Sequence, residues 1–373
     1  MTTNQDYIEE YIQTKDLSPN TKRNLTHSLN SYCKHQQLTI HELLTEADQE
    51  EEAGIRWKNR TLKKRLINYT NHLKQDKSIN TVKHRLKMVK AFYRHHEIEI
   101  GKLPPINLKN AKVNQPITYQ DIPSKEVIRQ AYDVAEPLMK ALLLFLVSSG
   151  MSKVDCLNLQ ISDFITATSK FHQSDNIEDV LLELQQQENV IPTWKCRRQK
   201  TNKFFITFNT DEATKEICNY LTLRLKRKSL AGEDKLFKID KDYYTLKFQE
   251  LNNVLGLGSA GSFIRLHGHM LRKFHASNLE RAGMDRYKIN VLQGKSNGSV
   301  DDVYFLEDEK ALFNEYVKYM GALVICDEVK SVDVLSDEYV ELKKQNELLL
   351  QKLDEFEQLK KDIDRIKSWY VFD

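Results

Sequence analysis

HGHMLRKFHASNLERAG (267–283) and VLQGKSNGSVDDVY (291–304) decide how the rest of the chain is read. In the first, Leu271, Phe274, Asn278 and Leu279 recur at helical offsets, and Gly283 stands where a helix stops. His269 and Arg272 lie three apart, so both project from one edge of that helix. The second stretch is small, polar and glycine-punctuated, and it ends on Tyr304. An imidazole, a guanidinium and a phenol in one segment suit attack on a phosphodiester. The phenol is the nucleophile, and the cationic donors hold the phosphoryl oxygens as charge builds. Any one of the three alone would mean little.

Working outward, 373 residues can hold two domains and bury a sizeable core. Hydrophobic residues make up 40% and charged residues 29%, which places the chain in a soluble, well-charged class. No stretch approaches ~20 uninterrupted apolar residues, and MTTNQDYIEE is no signal peptide. No membrane partner is expected, and the location read from these features is cytoplasmic. Cys33, Cys156, Cys196, Cys218 and Cys326 form no CxxC pair, which argues against a disulfide framework or a zinc knuckle. Gly256-Leu257-Gly258 lacks the lysine of a phosphate loop, and His267-Gly268-His269 alone is a poor metal site. No metal or other cofactor is expected.

The overall charge of +3 hides an asymmetry. Between Arg56 and His96 there are 13 Lys/Arg against one acid, Asp76, a net of +12. From Ser331 to Asp373 there are 7 Lys/Arg against 11 Asp/Glu, a net of −4. One segment is built to meet a polyanion and the other is not.

Residues 1–100 read as helices throughout, a four-helix module. Ser18 caps a helix with Pro19 in its first turn, and Leu25, Leu29 and Tyr32 follow at helical spacing. A short acidic helix covers 41–48, a third runs 58–74, and a fourth starts near Asn80 as cap. Their basic residues lie off the apolar faces. Arg60, Lys64, Lys83, Lys87, Lys90 and Arg94 are candidate contacts to DNA phosphates. A merely solvated lysine face is the plainer alternative, but the near absence of compensating acids decides for a polyanion. Residues 101–123 form a basic linker in which Gly101, Pro104, Pro105, Pro116 and Pro123 prevent a continuous helix. A helical module, an extended basic connection and a second domain over 124–330 would make a clamp around duplex DNA.

In that second domain, helices are expected through Val127–Asp133 and Pro137–Ser148. The β signal lies in 178–208: VLLEL, then Val190–Lys195, then Lys203–Phe208, with Arg197 to Asn202 turning between the last two. Residues 210–260 read as helical, with a loop near Ala231-Gly232-Glu233.

His269-x-Leu271-Arg272 followed by Phe274-His275-Ala276-Ser277 resembles the second box of the tyrosine recombinases, the phage and archaeal integrases. In that family a glycine precedes a histidine or tryptophan, and the nucleophilic tyrosine lies nine residues after the latter. Gly294-Lys295 and Tyr304 reproduce the offset, with Lys295 in the histidine or tryptophan position. Tyr287 is the fallback nucleophile. The SPNT and NTV segments near residues 18 and 80 resemble the family's helical core-binding domain. Gly150, Met151, Asp155 and Leu159 fall into register with the first box, but Ser152 sits where the first catalytic arginine belongs and Lys153 comes one residue later. Serine cannot reproduce a bidentate grip on a phosphate. Either Lys153 reaches the phosphate by a local shift, or an archaeal-type variant draws a cation from elsewhere, or the enzyme is crippled. Asp155 would orient a catalytic cation or buttress the site; the alternative is a carboxylate favoured at a helix N-terminus.

The family also places on its β-hairpin a lysine that protonates the leaving 5′-oxygen. Lys200 matches it, Lys203 is second candidate, and Arg197 and Arg198 are candidate DNA contacts beside them. The resemblance is nearest to the archaeal branch. It implies a mainly α fold with a small antiparallel β-sheet: a helical core-binding domain, an α+β catalytic domain and a C-terminal helical tail. It further implies a site-specific recombinase or integrase working through a 3′-phosphotyrosine, without ATP or Mg²⁺, on a double-stranded DNA recombination site as a dimer to tetramer. Beyond Tyr304, 310–323 reads as an amphipathic helix, and in the family this segment docks on a neighbouring protomer. In 331–373 Leu335, Tyr339, Leu342, Asn346, Leu349, Leu353 and Phe356 alternate four-three as a possible coiled-coil seam. The competing reading is a cleavage-dead relative that serves as a sequence-specific DNA-binding or architectural protein.

Overall fold

The computed structural model describes residues 3–106, 117–295, 309–326 and residue 352. Tyr304 and the proposed coiled-coil seam lie outside the described residues, as does 107–116 of the expected linker. The chain divides into two compact units, Met1–Pro116 and Ile117–Asp373.

The first unit is helical: α1 (Asn4–Lys15), α2 (Pro19–Gln36), α3 (Ile40–Glu52), α4 (Thr61–Asp76) and α5 (Ile79–His95). Ser18 caps α2, with Pro19 in its first turn, as its sequence requires. Helix α1 adds to the four that were expected. Its start is fixed by a reciprocal Thr3–Asp6 capping box, and it places Ile8 and Tyr11 in the core. The cap of α5 is Ser78 rather than Asn80, because the Ser78 hydroxyl accepts from the Thr81 amide. Leu25, Leu29, Leu62, Leu66, Tyr69, Val82 and Val89 are buried together at helical spacing. Lys64, Lys83, Lys87 and Arg94 are exposed, and Lys90 is half-buried.

Arg60 departs from the expected basic face. It is buried, donates to the Ile55 carbonyl at 2.9 Å and pairs with Glu51 at 3.0 Å. A guanidinium committed in this way stitches the α3–α4 turn and is not presented to a polyanion. Of the expected linker, 101–106 belongs to the first unit: the Trp57 indole donates to the Lys102 carbonyl at 3.0 Å, and Leu103 and Ile106 pack on the core.

The second unit is built round α7 (Pro137–Ser149), whose residues 141–147 are fully buried. A helix apolar on every side must be covered on every side. Helices α11 (Asp211–Leu225) and α13 (Gly268–Ala282) pack against it, and α6 (Lys125–Val134) precedes it. After α7 come α8 (Lys153–Asn158), α9 (Ile161–Thr168) and α10 (Ile177–Gln185). The antiparallel hairpin of β1 (Thr193–Arg197) and β2 (Phe204–Phe208) pairs Thr193 with Phe208 and Arg197 with Phe204. Then follow α12 (Lys241–Val254), a two-residue hairpin of β3 (Ser259–Ala260) and β4 (Phe263–Ile264), α14 (Arg286–Leu292) and α15 (Glu309–Tyr319).

VLLEL, expected as a strand, lies in α10. Ile177, Val180, Leu181 and Leu184 are buried at helical offsets, and Asn176 caps the start. The run is apolar at a helical as well as a strand period, and the cap settled it. The β3–β4 hairpin was not anticipated from the sequence.

The segment after Tyr304 packs on its own unit. Phe313 meets the Phe208 ring edge-on, Tyr316 packs tilted against it, and the Tyr316 hydroxyl donates to the Ser148 carbonyl at 3.0 Å. The buried Glu212 carboxylate accepts from the Ile325 and Cys326 amides at 2.9 and 2.7 Å.

Candidate active site

Arg272 is the fixed point. It is 6% exposed on α13, and its two terminal nitrogens donate to the carbonyls of Gly150 and Gln293, each at 2.5 Å. Gln293 returns the bond: its side-chain amide donates to the Arg272 carbonyl at 2.8 Å and faces His275 Nδ1 at 3.0 Å. One guanidinium therefore ties together the end of α7, the middle of α13 and the end of α14.

Two glycines make this approach sterically possible. Gly150 closes α7 with φ +61°, and a Cβ there would lie 2.6 Å from His275 Nδ1. Gly294 follows α14 with φ +60°, and a Cβ there would meet the Phe205 ring at 2.9 Å. The turn is held by Gly294 N donating to the Val291 carbonyl and Lys295 N donating to the Asn290 carbonyl, both at 2.8 Å.

Positive groups converge on this frame. Burial and the neighbouring Arg198 lower Arg272 to about 10, with Asp155 opposing. Lys295 is lowered to about 8 by burial and by Arg272, Arg286 and Arg198. His269 is exposed at its rim, and its imidazole is held below the usual value by desolvation, then by Lys273, His267, Arg272 and Lys295. His275, fully buried, is driven to about 3 and stays neutral.

These side chains border a cleft of about 370 Å³ that includes Thr118, His269, Arg272, Lys273, Arg286 and Lys295, with no carboxylate in its lining. Thr118, Tyr119 and Ile122 form its outer wall, with the Arg281 guanidinium 3.3 Å over the Tyr119 ring, while the adjacent Asp121 carboxylate is engaged by Thr118 and Arg265. A cleft bordered by cations with no acid among its lining residues carries a positive local potential.

The first box is arranged otherwise. Ser152 caps α8, and its hydroxyl donates to the buried Asp155 carboxylate at 2.6 Å. The other Asp155 oxygen accepts from the Gln199 amide at 3.0 Å, so this carboxylate buttresses the β1–β2 turn. Lys153 turns to α12, donating to the Lys241 carbonyl at 2.7 Å and the Thr245 hydroxyl at 2.8 Å, over the Tyr244 ring. The local shift that would carry its ammonium to the phosphate is not seen. Lys200 and Lys203 are exposed on the hairpin loop. Arg197 is exposed and covers the Phe204 ring at 4.5 Å. Tyr287 stands half-buried in the first turn of α14. Sequence reasoning missed Gln293, quoted His275 within the second box without giving it a role, and took Arg198 only as a DNA contact.

The depressed Lys295 predicts a pH response. Its cation is intact below about pH 8 and is lost as pH rises through that value, whereas an ordinary lysine titrates near 10.4. Retention of a short duplex should therefore weaken between pH 7 and 9, and Lys295→Arg should flatten the profile. Unfolding does not explain such a loss. In that window the unfolded chain holds the extra proton, so this group's contribution to stability rises with pH.

Among the described residues no group of three or more His, Cys, Asp or Glu side chains comes together, and no helix is long and apolar enough to cross a membrane. No protein-family model and no curated protein matches the chain. Solved structures do. A XerH site-specific recombinase bound to palindromic difH substrate, a post-cleavage complex, is 14% identical with a TM-score of 0.51, over 85% of this chain and 81% of that one. XerA recombinase is 19% identical with a TM-score of 0.36, over 84% and 96%. The Tn1549 transposon integrase in complex with transposon right end DNA is 13% identical with a TM-score of 0.40, over 81% and 97%. These neighbours are tyrosine recombinases. The described architecture, mainly helical with two small antiparallel two-stranded sheets, shares its fold with that XerH recombinase.

Proposed function

We propose that this chain is a site-specific DNA recombinase of the tyrosine type, in an archaeal-like branch, which cuts and rejoins duplex DNA through a 3′-phosphotyrosine and works as an oligomer on its site. The observation that carries the reading is the Arg272 clamp, opening on an acid-free cleft beside His269 and Lys295, with Tyr304 nine residues beyond Lys295. Tyr304 Oη loses its proton to solvent as it bonds phosphorus, the bond to the 5′-oxygen breaks, and the Lys200 ammonium gives that oxygen its proton. Arg272, His269 and Lys295 hold the non-bridging oxygens as charge accumulates. A 5′-hydroxyl of a partner strand then attacks the phosphotyrosine and releases the phenol.

A second reading has a specific observation in its favour. Ser152 replaces the first arginine and Lys153 is held against α12, which fits a cleavage-dead DNA-binding relative. Duplexes selected for binding from a random pool, nicked at successive positions, separate the two. The recombinase traps a covalent adduct that Tyr304→Phe abolishes while DNA retention persists. No adduct at any salt, with binding intact, supports the second reading instead.

A further inference from the structure

We infer that Arg198, at the base of the β1–β2 turn, supplies the second guanidinium to the scissile phosphate, the role left vacant by Ser152. The assignment rests on the recombinase reading above.

Position comes first. Arg272 is anchored on the Gln293 carbonyl, and Arg198 donates to the very next carbonyl, that of Gly294. Two guanidiniums on successive peptide groups, with Lys295 the next residue, share one small volume. Burial chiefly, and the Arg198 charge with it, makes both Arg272 and Lys295 more acidic. Three cations against one carboxylate, Asp155, which is already engaged by Ser152 and Gln199, are costly unless an anion completes the set.

The anchoring of the hairpin comes second. The amide of Gln199, the next residue, donates to Asp155, and Asp155 also accepts from Ser152. The first-box carboxylate therefore draws the hairpin turn, and Arg198 with it, to the helix start from which an arginine at position 152 would have extended. Lys153, the other nearby cation, is committed to α12.

An open donor comes third. Arg198 Nε is buried and has no hydrogen-bond partner among the described residues. A buried donor of this kind is completed by an acceptor, and a phosphate oxygen with two donors from one planar fork suits it.

The test compares Arg198→Ala, Arg198→Lys and wild type in single-turnover adduct formation. Each is run on a nicked duplex bearing a phosphate at the cleaved position and on the same duplex bearing a neutral methylphosphonate there. Arg198→Ala should form adduct ~10²–10³-fold more slowly on the phosphate, with Arg198→Lys in between. The defect should shrink to a few-fold on the methylphosphonate, because the charge that Arg198 neutralises has been removed. Rates on the phosphate unchanged from wild type would overturn the assignment, and so would equal defects on both substrates, which would mark Arg198 as a brace for Gly294. If wild type itself forms no adduct on either substrate, the recombinase reading fails and this assignment falls with it.

Discussion

Arg272→Lys is expected to slow adduct formation by ~10²–10³-fold and to lower the melting temperature as well. Lysine keeps the charge but offers a single ammonium in place of a planar fork. Arg272 serves two structural acceptors at once, the Gly150 carbonyl on one nitrogen and the Gln293 carbonyl on the other. With lysine at least one of these buried oxygens loses its donor, which costs about 1–3 kcal/mol. The Gln293 side chain loses register with it, because its amide is aimed at the Arg272 carbonyl. Activity and stability should fall together here, whereas Lys200→Ala, on the exposed loop, should lose activity and keep its melting temperature. An Arg272→Lys protein that cleaves and melts like wild type would remove the clamp from the account.

Gly150→Ala carries the second large effect. At φ +61° an alanine is strained by ~1 kcal/mol, and its Cβ would stand 2.6 Å from the buried His275 ring. Overpacking adds ~1–3 kcal/mol. His275 cannot yield freely, being fully buried and hydrogen-bonded to Gln293. The melting temperature should drop by several degrees, at ~2–4 °C per kcal/mol for a unit of this size. Cleavage should fall too, since the Gly150 carbonyl orients Arg272. Gly256→Ala is the control: its φ is +60°, but a Cβ there meets nothing within 4 Å. It should show the strain alone. Equal losses in the two variants would mean that contact with His275 contributes nothing.

The sequence showed what depends on local spacing. The helix carrying His269 and Arg272 ends at Gly283 and α2 is capped by Ser18, as read from their residues, while the hairpin turn read at 197–202 lies at 198–203, because Arg197 pairs with Phe204 at the end of β1. Runs with two readings were less legible: VLLEL is apolar at both periods, and Asn176 decided for helix. Side-chain destinations were not legible at all. Arg60 and Lys64 look alike in a basic run, yet one is buried on Glu51 and the other exposed. Lys153 is next to Ser152 in sequence and is drawn to α12 by the Lys241 carbonyl and the Thr245 hydroxyl, some ninety positions on. Arg198 reaches Gly294 across a similar gap. Such partners are fixed only when α7, α13, α14 and the hairpin pack.

Mapping the residue joined to DNA is the most direct check on the whole account. Wild-type protein trapped on a nicked duplex, digested and read by mass spectrometry, should carry the nucleotide on Tyr304 through a 3′-phosphate. Attachment to Tyr287, to a serine, or through a 5′-phosphate would contradict it.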